Sequence, residues 1–182
     1  MSYFAAALTR SAESWAATEL DLNGAADIEE ITDLLRDVAP DAATSLLFVE
    51  SDDAYLVILR LDEGEDLRVF GSDSVFAEES RLGALLLGDI AEPVPDLVVT
   101  PALDDESLED EIAEDDADEP DLSAPDPDIE PVGDADLLAD LGIPAKRLLA
   151  LCSQEGLLPA DITAEVCQVI GCGDEVEELR EA

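Results

Sequence analysis

The chain has 182 residues, of which 48 are acidic, 8 basic and none histidine, for a formal net charge of -40. Gripping nucleic acid or an anionic membrane face needs Lys and Arg to neutralise phosphates, so neither is an expected partner. A basic protein surface is the favoured one.

Without histidine the chain lacks the side chain most used for acid-base work near neutral pH and the commonest metal ligand. No cofactor or metal is expected, and catalysis is not. Cys152, Cys167 and Cys172 are an odd number of cysteines, which suits reduced thiols in a cytoplasmic protein rather than a disulfide framework. Met1 to Arg10 lacks the basic start and long apolar run of a secretory leader, and no stretch reaches the ~18 consecutive apolar residues of a membrane span.

In chain order, Tyr3–Leu8 and Trp15–Leu22 are predicted strands joined by a hairpin connection. The period then changes: Ile28, Ile31, Leu34, Leu35 and Val38 fall on one helical stripe within a helix over 25–38, with Asp27 and Glu30 as a capping pair and Pro40 as the stop. Leu46–Val49 is a continuous apolar run, the pattern of a strand covered on both faces or nearly so. Tyr55–Leu59 follows as its antiparallel neighbour, and Leu67–Phe70 returns across the acidic turn Asp62-Glu63-Gly64-Glu65-Asp66. The stretch from Ser74 to about Leu87 is predicted helical, with Phe76, Leu82, Leu85 and Leu86 on one face.

These elements predict an α+β fold: a mostly antiparallel sheet of about five strands with helices packed on one face, an acidic disordered linker, and a small C-terminal helical bundle. The expected boundaries are 1–100, 101–132 and 133–182. The carboxylates of Asp52-Asp53 and of the turn at 62–66 lack the ligand order of a calcium loop and are expected to be solvated hairpin tips.

Residues 101–132 carry 15 acidic side chains, no basic one and no aromatic one, with Pro101, Pro120, Pro125, Pro127 and Pro131 among them. Such a composition buries too little apolar surface to offset its ordering entropy. One reading is a solubilising tether. A sharper one is that Asp104, Asp105, Glu106, Glu109, Asp110, Glu111, Glu114, Asp115 and Asp116, with Asp118 and Glu119, imitate a phosphate chain and occupy a basic groove on a partner. A third is adaptation to high salt, consistent with Lys146 being the sole lysine.

Beyond the linker, helices are predicted over 134–141, 144–155, 159–170 and 174–180, each of the first three ended by a glycine or its neighbour. About 50 residues is marginal for a free-standing core, so this bundle is expected to dock on the first block or on a partner. The cysteine spacing matches neither a zinc ribbon nor a Cys-x-x-Cys redox pair. Cys152 and Cys167 are expected in the core, and Cys172, between two glycines, is expected to be exposed.

A family resemblance rests on several stretches taken together. They are Met1–Leu8, Leu46-Leu47-Phe48-Val49-Glu50 with Asp52-Asp53, Ser80-Arg81-Leu82-Gly83-Ala84-Leu85-Leu86-Leu87, Asp136–Gly142 and Glu155–Asp161. In this order and spacing the chain resembles the actinobacterial tRNA adenosine deaminase-associated proteins. The resemblance covers both blocks and fails across the acidic stretch. It carries no catalytic residues, and the histidine and Pro-Cys-x-x-Cys pair of a zinc deaminase are absent.

The resemblance implies a non-catalytic cytoplasmic accessory protein that binds or regulates a tRNA adenosine deaminase. Arg81 and Leu82, on an apolar helix, are expected to add a specific contact to the acidic stretch 104–116. The alternative is an acidic scaffold or chaperone-like interaction module with no direct role in tRNA modification.

Overall fold

The computed structural model describes residues 3–11, 14–51, 54–73, 75, 79–88, 131–154 and 156–181. The acidic stretch from 101 to 130 lies outside them, as do Asp52-Asp53 and most of 74–78.

Five strands follow the apolar runs: β1 (Tyr3–Arg10), β2 (Trp15–Glu19), β3 (Thr44–Ser51), β4 (Tyr55–Asp62) and β5 (Asp66–Gly71). A sixth, β6 (Val132–Gly133), is two residues long and pairs antiparallel with Phe70-Gly71. The sheet is antiparallel throughout, in the order β2-β1-β3-β4-β5-β6. The expected count of about five therefore becomes six. The extra strand escaped the sequence because Val132-Gly133 has no alternation to read and Pro131 precedes it.

Because side chains alternate across a strand, the sheet has two apolar faces. Ala5, Ala7, Leu47, Val49, Val57 and Leu59 point to one. There they meet α1 (Ile28–Val38) through Ile31 and Leu35 and α2 (Arg81–Leu87) through Leu86 and Leu87. Leu8, Leu46, Phe48, Leu56, Ile58 and Phe70 point to the other. The C-terminal residues cover that second face: Leu137, Leu138, Ile143, Leu148, Ile162, Val166 and Val176 pack against it. The continuous run Leu46–Val49 is thus buried on both sides, with each residue at 0% exposure.

α1 begins where Asp27 accepts a hydrogen bond from the Glu30 amide at 2.9 Å, while the Glu30 carboxylate accepts from the Ala26 amide at 2.7 Å. The cap holds as expected. Leu34, expected on the buried stripe, is instead one of the exposed large apolar residues. It lies ~100° around the helix from Leu35 and ~60° from Ile31, on the side away from Leu35, at the edge of the contact face.

The C-terminal block comprises a 3-10 turn (Ala139–Leu141), α3 (Ala145–Cys152), α4 (Pro159–Ile170) and α5 (Gly173–Glu181). The helix predicted over 134–141 is a correction: only its last three residues are helical, of the 3-10 type. The Asp134 carboxylate accepts from the Asp136 amide two residues on, the local bond with which Asp diverts a chain from helix into turn. Trp15 fastens this block to the edge strand, its indole N–H donating to the Ile170 carbonyl at 3.1 Å.

Candidate functional site

Between the residues that lead into α1 and the start of α2, the sheet is left with a shallow cleft of about 180 Å³. Tyr3 and Ser51, neighbours across the β1–β3 ladder, form part of its lining, together with Leu22, Asn23 and Ala25. On the α2 side the lining is Ser80, Arg81, Leu82 and Leu85. Arg81 and Leu82, singled out from the sequence, therefore lie in one surface depression. Asp104, Asp105, Glu106, Glu109, Asp110, Glu111, Glu114, Asp115 and Asp116 are outside the described residues.

Three polar side chains of the cleft, Tyr3, Asn23 and Ser80, are held by their own neighbours. The Tyr3 hydroxyl accepts from the Leu22 amide at 2.7 Å and donates to the Asp21 carboxylate at 3.2 Å. Burial, offset by the Leu22 amide and reinforced by the Asp21 charge, leaves the phenol pKa above its ordinary value. Asp21 also accepts from the backbone and side-chain N–H groups of Asn23, at 2.9 and 2.8 Å. Those bonds and the Tyr3 hydroxyl hold its carboxyl below the usual range.

On the opposite wall, Ser80 is the N-cap of α2. Its hydroxyl accepts from the Gly83 amide at 2.8 Å and lies 2.5 Å from the Tyr55 hydroxyl. The first turn is thereby satisfied from within. Leu82 and Leu85 are half-buried against the core, whereas Arg81 is exposed.

The cationic side chains sort into two groups. Arg36 pairs with Asp33, Arg60 with Asp62 and Asp140, Arg68 with Asp62, Arg147 with Glu165, and Arg180 with Glu50. Arg10 stacks over the Trp15 ring at 5.7 Å. Arg81 and the exposed Lys146 have no ion pair, hydrogen bond or ring partner among the described residues. Of the two, Arg81 alone lines the cleft.

Two arginine clusters that sequence reasoning missed tie the C-terminal block to the sheet. Arg60, 5% exposed, donates to Asp62 at 2.8 Å, to the Leu137 carbonyl at 2.5 Å and through both terminal nitrogens to Asp140. Arg180 bonds Glu50 at 2.5 Å and stacks over Phe4 at 5.0 Å. The available signal was a charged residue continuing each apolar strand run, Glu50 after Val49 and Arg60 after Leu59. Such residues are rarely buried unless paired.

All three thiols are buried. Cys152 is pushed up to about 12 by burial, and the Cys172 thiol together with burial raises Cys167 further. The expected exposure of Cys172 is overturned. Gly171 takes a left-handed conformation, and the Cys172 amide bonds back to the Cys167 carbonyl at 2.8 Å, the helix-ending motif that folds the following side chain onto the helix. Among the described residues there is no group of three or more His, Cys, Asp or Glu side chains placed to hold a metal ion. None of their helices is long and apolar enough to cross a membrane.

The chain matches the model of the Rv3753c-like tRNA adenosine deaminase-associated proteins over residues 3–109 and 99–173. It belongs to that family. The match takes in the sheet, both helices beside the cleft and the C-terminal helices through α4. No curated protein and no solved structure matches the chain.

Proposed function

We propose that the protein is a non-catalytic cytoplasmic accessory subunit that binds a tRNA adenosine deaminase and regulates it. Family membership along nearly the whole chain carries this reading. A tRNA-modifying enzyme needs a basic face for phosphates, and a partner with a net charge of -40 is complementary to such a face. Association is then fast and salt-sensitive.

Two regions divide the work. The acidic stretch from Asp104 to Asp116 competes with tRNA phosphates for the basic face, and the cleft around Arg81 and Leu82 gives the stereospecific contact. The chemistry of the described side chains supports a non-catalytic role. A buried thiol with a raised pKa is a poor nucleophile, and the two arginine clusters are spent on joining the block to the sheet.

The test is a titration of the full chain against the deaminase of the same genome at low and high salt, with and without tRNA. Binding that weakens with salt and that tRNA displaces is the expected result. Absence of binding at any salt refutes the reading.

A further inference from the structure

At about 180 Å³ the cleft is below the ~300–1,000 Å³ of sites that enclose drug-sized ligands, and its size suits one or two side chains of another protein. Its walls include Leu22, Leu82 and Leu85. The hydroxyls of Tyr3 and Ser80 and the Asn23 amide are already bonded within the chain. What the cleft offers outward is an apolar slot and the donors of one guanidinium.

That guanidinium stands apart among the described residues. Five other arginines have found a carboxylate and Arg10 an aromatic ring. Arg81 has neither among the described residues. Nor is the charge at this rim a helix-end effect, because Ser80 caps the first turn of α2.

We propose that the cleft receives an anchor segment of a partner protein in which a carboxylate stands beside a bulky apolar side chain. The carboxylate pairs with Arg81, where the planar fork of donors fits it bidentately. The apolar side chain enters between Leu22 and the Leu82–Leu85 wall, as interface anchors fill pockets. A lone carboxylate on an otherwise basic partner face is compatible with the net charge of -40, because exposed charges beyond ~8–10 Å are screened at physiological salt.

This inference rests on the accessory-protein reading for the identity of the partner, and the experiment separates the two. The full chain, isotope-labelled, is titrated with the blocked peptides acetyl-Leu-Glu-Leu-amide and acetyl-Leu-Gln-Leu-amide at millimolar concentration, reading the Arg81 side-chain and Leu82 and Leu85 methyl resonances. The Glu peptide is expected to shift them, the Gln peptide to shift them several-fold less, and Arg81→Glu to abolish the response. In parallel, the deaminase is titrated with wild type, Arg81→Lys and Arg81→Glu, all checked for native circular dichroism. Charge reversal is expected to weaken binding by about tenfold or more and the lysine variant by less.

Equal deaminase affinity for wild type and Arg81→Glu, or cleft resonances indifferent to both peptides, overturns the anchor proposal and leaves the accessory reading standing. A cleft that responds to the Glu peptide in a chain that never binds the deaminase upholds the anchor chemistry and refutes the accessory reading.

Discussion

Arg60 and Asp140, eighty residues apart, meet end-on, each guanidinium terminal nitrogen donating to one carboxylate oxygen. Arg60 rises from the middle of β4 and is buried, whereas the Asp140 side chain is 58% exposed. The sheet thus supplies the desolvated partner and the C-terminal block the solvated one.

The asymmetry predicts unequal costs for removing either end. Asp140→Ala leaves Arg60 bonded to Asp62 and the Leu137 carbonyl, so it should cost about 1–2 kcal/mol. Arg60→Met strands the Leu137 carbonyl as well and should cost about 2–4 kcal/mol. Urea unfolding of both variants checks the ranking, and equal costs would mean that the buried end is not the keystone.

The same cluster sets a pH dependence. The Arg60 guanidinium holds Asp140 below the usual aspartate range. Burial pushes Asp62 up, but hydrogen bonds from Arg68, Arg60 and Thr44 outweigh it and its net position is also low. A depressed carboxylate contributes stability that is fully present above its unfolded pKa of about 3.9 and is lost as pH falls through its folded value. Acidification also relieves self-repulsion in a chain this acidic, so the difference between wild type and Asp140→Asn is the clean observable. It should be constant from pH 6 to 8 and shrink towards zero below about pH 4. Glu50 runs the other way, since burial raises its pKa despite Thr163 and Arg180. Its contribution to stability improves as pH falls towards the unfolded glutamate value.

Gly133 takes a positive φ of 91°, and a Cβ there would press into the Val69 carbonyl. Gly133→Ala should detach β6 and cost about 2–4 kcal/mol, combining backbone strain with a steric clash. Gly156 also has a positive φ, of 82°, but open space around it, so Gly156→Ala should cost only about 1 kcal/mol. Thermal unfolding of the two side by side separates crowding from strain.

The thiols give a test by counting. Native protein at pH 8 should titrate none of its three cysteines rapidly with a disulfide reagent, and denatured protein all three, because the buried thiols are inaccessible to the reagent. A fast-reacting thiol at Cys172 would show that its fold-back onto Cys167 opens readily.

The order of strands and helices was legible because it depends on local pattern: short continuous apolar runs at Leu46–Val49 and Tyr55–Leu59, the three- and four-residue spacing of Ile28, Ile31, Leu35 and Val38, and a glycine or proline at most ends. The double burial of Leu46–Val49 was legible too, but not what covers its second face, since no local rule says which distant helix supplies the cover. The cleft was visible only through Arg81 and Leu82. Tyr3, Asn23 and Ser51 join them by way of sheet register and the path into α1, both of which are tertiary facts. Arg60 and Glu50 were missed because a charged residue after an apolar run reads equally as a strand end or a buried pair, and Arg180, in a largely acidic helix, reads as a solvated charge.

Gly71 has a neighbour on each side that carries a consequence for the connection between them. A Cβ at Gly71 would meet Leu87, the last residue of α2, at 2.6 Å and Val132 of β6 at 3.3 Å. The two places where the chain leaves and rejoins the described fold around the acidic stretch are therefore pinned against one glycine. Closing a connection between fixed ends costs only about 0.6 kcal/mol for each doubling of its length. Changes in the length of that connection should therefore cost the sheet little.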